Sequence, residues 1–182
     1  MSVREDSAAV LHFWFDELTP EQHWTKSDAL DAEIARRFGA LRDRALADTS
    51  PWTADADTLL AAIILLDQFS RNIHRDTPRA FEADAAALDL TLLGIGEGWH
   101  RQMEPLRRGF FYMPLMHAED RGVQRFALRC FAEPGLEKQI DFAREHAAVI
   151  ERFGRYPTRN AILGRTSTPE ELEYLSQPGV GW

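Results

Sequence analysis

The sequence predicts an all-α protein, and three observations carry that prediction. Apolar residues recur every three or four positions along most of the chain, the spacing that gathers them on one face of a helix. Between those runs stand Ser, Thr, Pro and Gly at positions that start or stop helices. No stretch alternates apolar and polar residues as a half-buried strand does. The expected architecture is a single-domain antiparallel helical array over residues 1–182, with about seven to nine helices.

Taken in order, Val10, Leu11, Trp14, Phe15 and Leu18 mark a first apolar face. Thr19-Pro20-Glu21-Gln22 reads as a capping box with proline at the first helical position. Leu30, Ile34, Phe38, Leu41 and Ala45 share one face of the next helix, with Ser27 as its cap, and Ser50-Pro51 ends it. From Asp57 to Arg71 the chain is nearly apolar all round, which predicts a central buried helix. Thr77-Pro78 is expected to open another, carrying Phe81, Ala85, Leu88 and Leu92 and closed by Gly94, Gly96 and Gly98. Further helices are predicted from Glu104 to Met113, stopping at Pro114, and from Ala118 to Ala132, before Pro134-Gly135. Leu136 to Phe153 is helical again, with Gly154 as its C-terminal cap. Thr168-Pro169-Glu170-Glu171 is a second capping box, opening a short helix with Leu172 and Leu175.

Hydrophobic residues make up 45% of the chain and charged residues 27%, the balance of a globular protein and not of a disordered one. A formal net charge of -8 disfavours nucleic acid and anionic membranes as partners, since both are held by a positive field. Only Lys26 and Lys138 are lysine among 21 basic residues, so arginine dominates. Cys130 is the lone cysteine, and no intrachain disulfide can form. Its apolar neighbours mark it as inert core. The N-terminal MSVREDSAAVLHFWF lacks the pattern of a secretory signal, and runs such as Ala61–Leu66 are too short to span a bilayer. A cytoplasmic location is the expectation.

Three stretches place polar groups where packing alone would not ask for them. In LLDQFSRNIHR (65–75), Asp67 and Arg71, Gln68 and Asn72, and Arg71 and Arg75 are each four apart and share helix faces. They follow the most apolar run of the chain, so the charges must pair or line a cavity. In FFYMPLMHAED (110–120), His117, Glu119 and Asp120 stand at the approach to a helix. His117 and Glu119 are candidate acid/base groups, and a His-x-Glu spacing is a weak metal motif that predicts no metal. In RFGRYPTRNAILGR (152–165), with His146 just upstream, Arg155, Arg159, Arg165 and Asn160 crowd around an ordered turn. Guanidinium forks suit carboxylates and phosphates. The competing explanation is that these arginines neutralise Glu145, Glu151, Glu170 and Glu171. No glycine-rich phosphate loop, His-Glu-x-x-His or nucleophile elbow is present, and no cofactor is expected.

The stretches LHFWF, LLDQFSRNIHRDTPRAF, FFYMPLMHAED and FAREHAAVIERFGRYPTRNAILGRTSTPEE resemble, in order and over nearly the whole chain, the bacterial domain-of-unknown-function 924 family. The resemblance implies a tetratricopeptide-like superhelix, although no 34-residue repeat signature is legible. It implies that Asp67, Gln68, Arg71, Asn72, His117, Glu119, His146, Arg155, Arg159, Asn160 and Arg165 recur together. It implies no particular activity. The resemblance also implies that relatives commonly carry proline at Ser70, serine at Ala118 and histidine at Thr158, so a role resting on that histidine would be missing here.

The resulting expectation is a polar pocket shared by the three stretches and binding a small anionic ligand. Asp67, Gln68, Arg71, Asn72, Arg155, Arg159, Asn160 and Arg165 would bind it, and His117, Glu119 and His146 would act as acid/base groups if a hydrolytic step occurs. A module gripping an acidic peptide is the alternative partner reading, and a purely structural polar lock is the third.

Overall fold

The computed structural model describes residues 2–180, and among them every regular element is helical. Eight helices result when the continuous stretch 56–73 is counted as one. They are α1 (Val3–His12, continuing as a π turn Phe13–Glu17), α2 (Asp28–Ala47), α3 (56–73), α4 (Asp84–Gly96), α5 (Pro105–His117), α6 (Arg121–Phe131), α7 (Gln139–Phe153) and α8 (Pro169–Leu175). Short 3-10 turns join several of them.

Sequence patterning explains most of these elements. The predicted face of α2, from Leu30 to Ala45, is buried, and the Ser27 hydroxyl accepts the Leu30 N–H at 3.3 Å. Helix α3 is the centre of the molecule. Every residue from Thr58 to Ser70 is buried, and the helix touches α1, α2, α4 and α5. Trp14 and Phe13 are core residues against Phe69, as their apolar neighbourhood predicts. Cys130 is buried, and burial pushes its thiol up to about 11, which leaves it unreactive. Gly154 takes the left-handed conformation (φ 71°) and closes α7 by donating to Ile150 O at 2.8 Å. Thr168 and Glu171 form the predicted capping box of α8.

Some boundaries differ from expectation. Pro114 does not stop α5, which runs on to His117. An interior proline costs about 3 kcal/mol, but Leu115 and Met116 beyond it are buried, and each such side chain contributes roughly 1.5–3 kcal/mol. Thr77-Pro78 opens only a 3-10 turn, and α4 begins at Asp84. Thr19-Pro20 likewise opens a four-residue 3-10 turn, with the Thr19 N–H donating to Gln22 Oε1 at 2.8 Å. Asp120 is the N-cap of α6, accepting from the Val123 N–H at 2.8 Å, so Glu119 lies before the helix. No helix among the described residues is long and apolar enough to cross a membrane.

Gly94 lies inside α4 and does not close it. A Cβ there would stand 2.9 Å from two ring carbons of Phe111 and 3.2 Å from Leu59 Cδ2. Helices α4 and α5 therefore meet where one of them has no side chain. Gly94→Ala should destabilise the fold by roughly 1–3 kcal/mol through overpacking, read as a lower urea midpoint with an unchanged slope. An unchanged midpoint would mean that the contact relaxes freely.

Candidate functional site

The α3 backbone widens into a π turn at Ile64–Phe69, a local insertion that re-aims the side chains it carries. Asp67, with no exposed surface, lies in that turn. Its Oδ1 meets His117 Nδ1 at 2.7 Å and Arg71 Nη1 at 3.1 Å. Its Oδ2 accepts from Gln68 Nε2 at 2.5 Å. His117 is the last residue of α5, so that helix delivers it to α3 only because Pro114 does not end it.

Arg71 then reaches outward. It donates to the Asp67 carbonyl at 2.8 Å and forks onto Asp84, the first residue of α4, at 3.0 and 3.1 Å. Asp84 is also the acceptor for Arg159 Nη1 at 3.0 Å, while Arg159 Nη2 donates to the His117 carbonyl at 3.0 Å. The Arg159 guanidinium carbon lies over the rings of both Phe81 and Tyr156, 4.6 and 4.7 Å from their centroids, contacts that help hold it in place. His146, on α7, packs edge-on against Tyr156 and has its ring 6.3 Å from that of His117. Its Nδ1 is 2.8 Å from the Phe142 carbonyl, so that nitrogen carries a proton.

The charges settle as the geometry dictates. Burial alone would raise Asp67, but Arg71 and His117 and the hydrogen bonds from His117 and Gln68 outweigh it, and the carboxyl is held well below the usual range. His117 is lowered by burial and by Arg71, against the pull of Asp67. Arg159 is lowered by burial and by Arg71, against Asp84 and Glu119. Burial, with His117, Arg159 and Arg71 nearby, depresses His146 to about 3 against its bond to Phe142. Three neighbouring groups thus all have their cationic forms disfavoured. The cluster reaches solvent through partly exposed side chains: His117 keeps 15%, Arg71 21%, Arg159 12% and Asp84 19%.

Of the residues expected at a site, Asp67, Gln68, Arg71, His117, His146 and Arg159 come together. Glu119 and Arg165 adjoin them as a separate pair. Arg165 forks onto Glu119 at 2.6 and 2.9 Å, and Glu119 also accepts the Tyr156 N–H at 2.7 Å. Asn72 points away, donating to Asp31 at 2.7 Å, beside Arg75 on the same carboxylate. Arg155 and Asn160 belong to a third group. Both donate to Glu171, which Arg155 and the Thr168 N–H hold down to about 2. Arg152 pairs with Glu170. For Arg152 and Arg155, neutralisation of the α8 carboxylates is what the geometry shows.

Asp84, Phe81 and Tyr156 were not among the expected site residues. Asp84 stands in EADAAAL with no polar neighbour at helical spacing, so only the fold reveals it. Tyr156 lies inside the arginine-rich stretch itself, and its flanking arginines were the available signal. Ser70, one of the positions where the resemblance implies another residue, accepts Arg42 Nε at 2.8 Å, and Arg42 is wholly buried. Thr158 is half-buried beside Arg159. Among the described residues no group of three or more His, Cys, Asp or Glu could hold a metal ion. Two cavities, of about 470 and 620 Å³, lie elsewhere, the larger between Leu11, Thr58, Trp99 and Arg107.

The fold and cluster define an all-α protein with a buried carboxylate–histidine–arginine network. The chain belongs to the bacterial family of proteins of unknown function designated DUF924, whose model matches residues 10–179. It is similar to a solved protein of unknown function from Agrobacterium tumefaciens, at 33% identity and a TM-score of 0.86, over 96% of this chain and 99% of that one. No curated protein matches it.

A neutral buried His146 makes stability depend on pH. An unfolded histidine titrates near 6.5, so between about 6.5 and 3 the unfolded chain holds a proton here that the folded chain does not. Stability should therefore fall as pH falls through that window, by about 1.4 kcal/mol per pH unit for one proton. Urea unfolding at pH 7, 6 and 5 should show a flatter dependence in His146→Gln, and equal slopes would refute a neutral His146.

Proposed function

We propose that the protein binds a small carboxylate- or phosphate-bearing ligand at the mouth of the Arg71–Asp84–Arg159–His117 cluster. The observation that carries this reading is the convergence of two oriented guanidiniums on a single carboxylate, Asp84. Arg159 engages Asp84 and the His117 carbonyl through one nitrogen each, and a guanidinium has five N–H donors. The remaining donors belong to a group that Phe81 and Tyr156 help hold in place. An incoming anion would meet oriented donors and would relieve the mutual repulsion of Arg71 and Arg159.

The helix packing supports a further likeness to tetratricopeptide arrays. Helices α1, α3 and α5 each touch the next odd-numbered helix, and neighbours from α2 to α7 touch in sequence, as stacked helical hairpins do. A peptide ending in a carboxylate would present the same anion to the same arginines, and is the second reading.

Thermal shift with phosphate, succinate and citrate tests the proposal. A ligand at about 100 times its dissociation constant adds roughly 2.7 kcal/mol, a shift of several degrees. We expect Arg159→Ala to abolish the shift. Arg155→Ala should lower the melting temperature but keep the shift, because Arg155 ties α8 to the body and lies outside the site. Loss of the shift in Arg155→Ala alone would overturn this division.

A further inference from the structure

The contact between Asp67 and His117 does more than neutralise a buried charge. An ionised carboxylate has no hydrogen to give, so His117 Nδ1 must be the donor across the 2.7 Å contact. In the neutral ring the lone pair then resides on Nε2. Asp67 is immobilised from four directions: the backbone of α3, Gln68 on Oδ2, and Arg71 and His117 on Oδ1. The imidazole is thereby fixed in one tautomer and one orientation, while its side chain keeps contact with solvent. Glu119, the carboxylate nearest in sequence, is occupied by Arg165 and the Tyr156 N–H, so Asp67 is the partner of His117.

We propose that His117 is a general base, that Asp67 is its positioning residue, and that the substrate is a small ester carrying the anionic group held by Arg159. The proposal rests on the anion site described above. Nε2 takes a proton from water as the water oxygen bonds to the ester carbonyl carbon, and the carbonyl electron pair moves onto its oxygen. The pair returns, the bond to the alcohol oxygen breaks, and the departing alkoxide takes the proton back from the imidazolium. Ester and water become acid and alcohol, with no oxidant or reductant. The imidazolium formed midway faces the Asp67 carboxylate, which stabilises it. Arg71 on the same oxygen keeps Asp67 ionised. The charged and titratable groups around His117 are Asp67 and Arg71 from α3, Asp84 from α4, His146 from α7 and Arg159 from the turn after it.

The experiment is hydrolysis of mono-(4-nitrophenyl) succinate, with ¹⁵N NMR of the His117 ring. Wild type should exceed His117→Gln by about 10²- to 10⁴-fold in kcat/KM, at unchanged far-UV circular dichroism. The rate should rise with pH to a plateau reached below the ordinary histidine value of about 6.5, because burial and Arg71 disfavour the imidazolium. Asp67→Asn should displace that profile and lower kcat more than it changes KM, which a merely structural residue would not do. The ring should carry its hydrogen on Nδ1. Equal rates in wild type and His117→Gln, or a hydrogen on Nε2, would overturn the proposal. Succinate itself separates this from the anion site. An Arg159-dependent melting shift without His117-dependent hydrolysis leaves the binding site and removes the base. Hydrolysis that needs His117 but not Arg159 leaves the base and removes the anion site.

Discussion

The carboxylate of Asp67 has no exposed surface and sits in the most thoroughly buried helix of the chain. An unpaired charge there would be prohibitive. Much of the molecule is arranged around preventing that. Gln68 and Arg71 come from the same helix, His117 from the end of α5, and Arg71 carries the pairing on to Asp84 at the start of α4. Three helices are tied to one anion. Removing Arg71 would strand the Asp67 charge, whereas the complete network satisfies each group, as a buried polar network must.

A division of labour among the arginines follows. Arg155 and Arg152 fasten α8 through Glu171 and Glu170, Arg165 fastens the Tyr156 turn through Glu119, and Arg75 joins α3 to α2 through Asp31. Those are locks. Arg71 and Arg159 differ because both fall on Asp84 and both stand beside the histidines. Asp84 between them offsets the repulsion of two like charges held at low exposure, and it is at such a pair that the proposal places the ligand. This is why the functional reading concentrates on two arginines and not on the whole basic stretch.

Elements governed by local rules were legible in the sequence. The face from Leu30 to Ala45, the Ser27 cap, the Gly154 terminus and the Thr168 capping box each depend on residues within one or two turns. So was the Asp67–Arg71 pair, which i,i+4 spacing dictates. What failed depended on tertiary packing. Pro114 would end an isolated helix, but burial beyond it carries α5 to His117. Asp84 is one acid among alanines until the fold sets it between two arginines 13 and 75 residues away. The resemblance grouped eleven polar residues without saying which touched. Separating Asn72, Arg155 and Asn160 from Arg71 and Arg159 required knowing where α2 and α8 lie.

The claim that most of this depends on is that Asp67 is ionised in its buried place. It can be tested directly by following its ¹³Cγ resonance through an acid titration of the folded protein. The arrangement of Arg71, His117 and Gln68 requires a carboxylate that stays charged well below pH 4, where an ordinary aspartate takes up its proton. A resonance that titrates at or above pH 4 would show that these partners do not outweigh burial, and one still in its protonated form at pH 7 would show a neutral acid, so that the base at His117 and the charge balance at Asp84 would have to be abandoned.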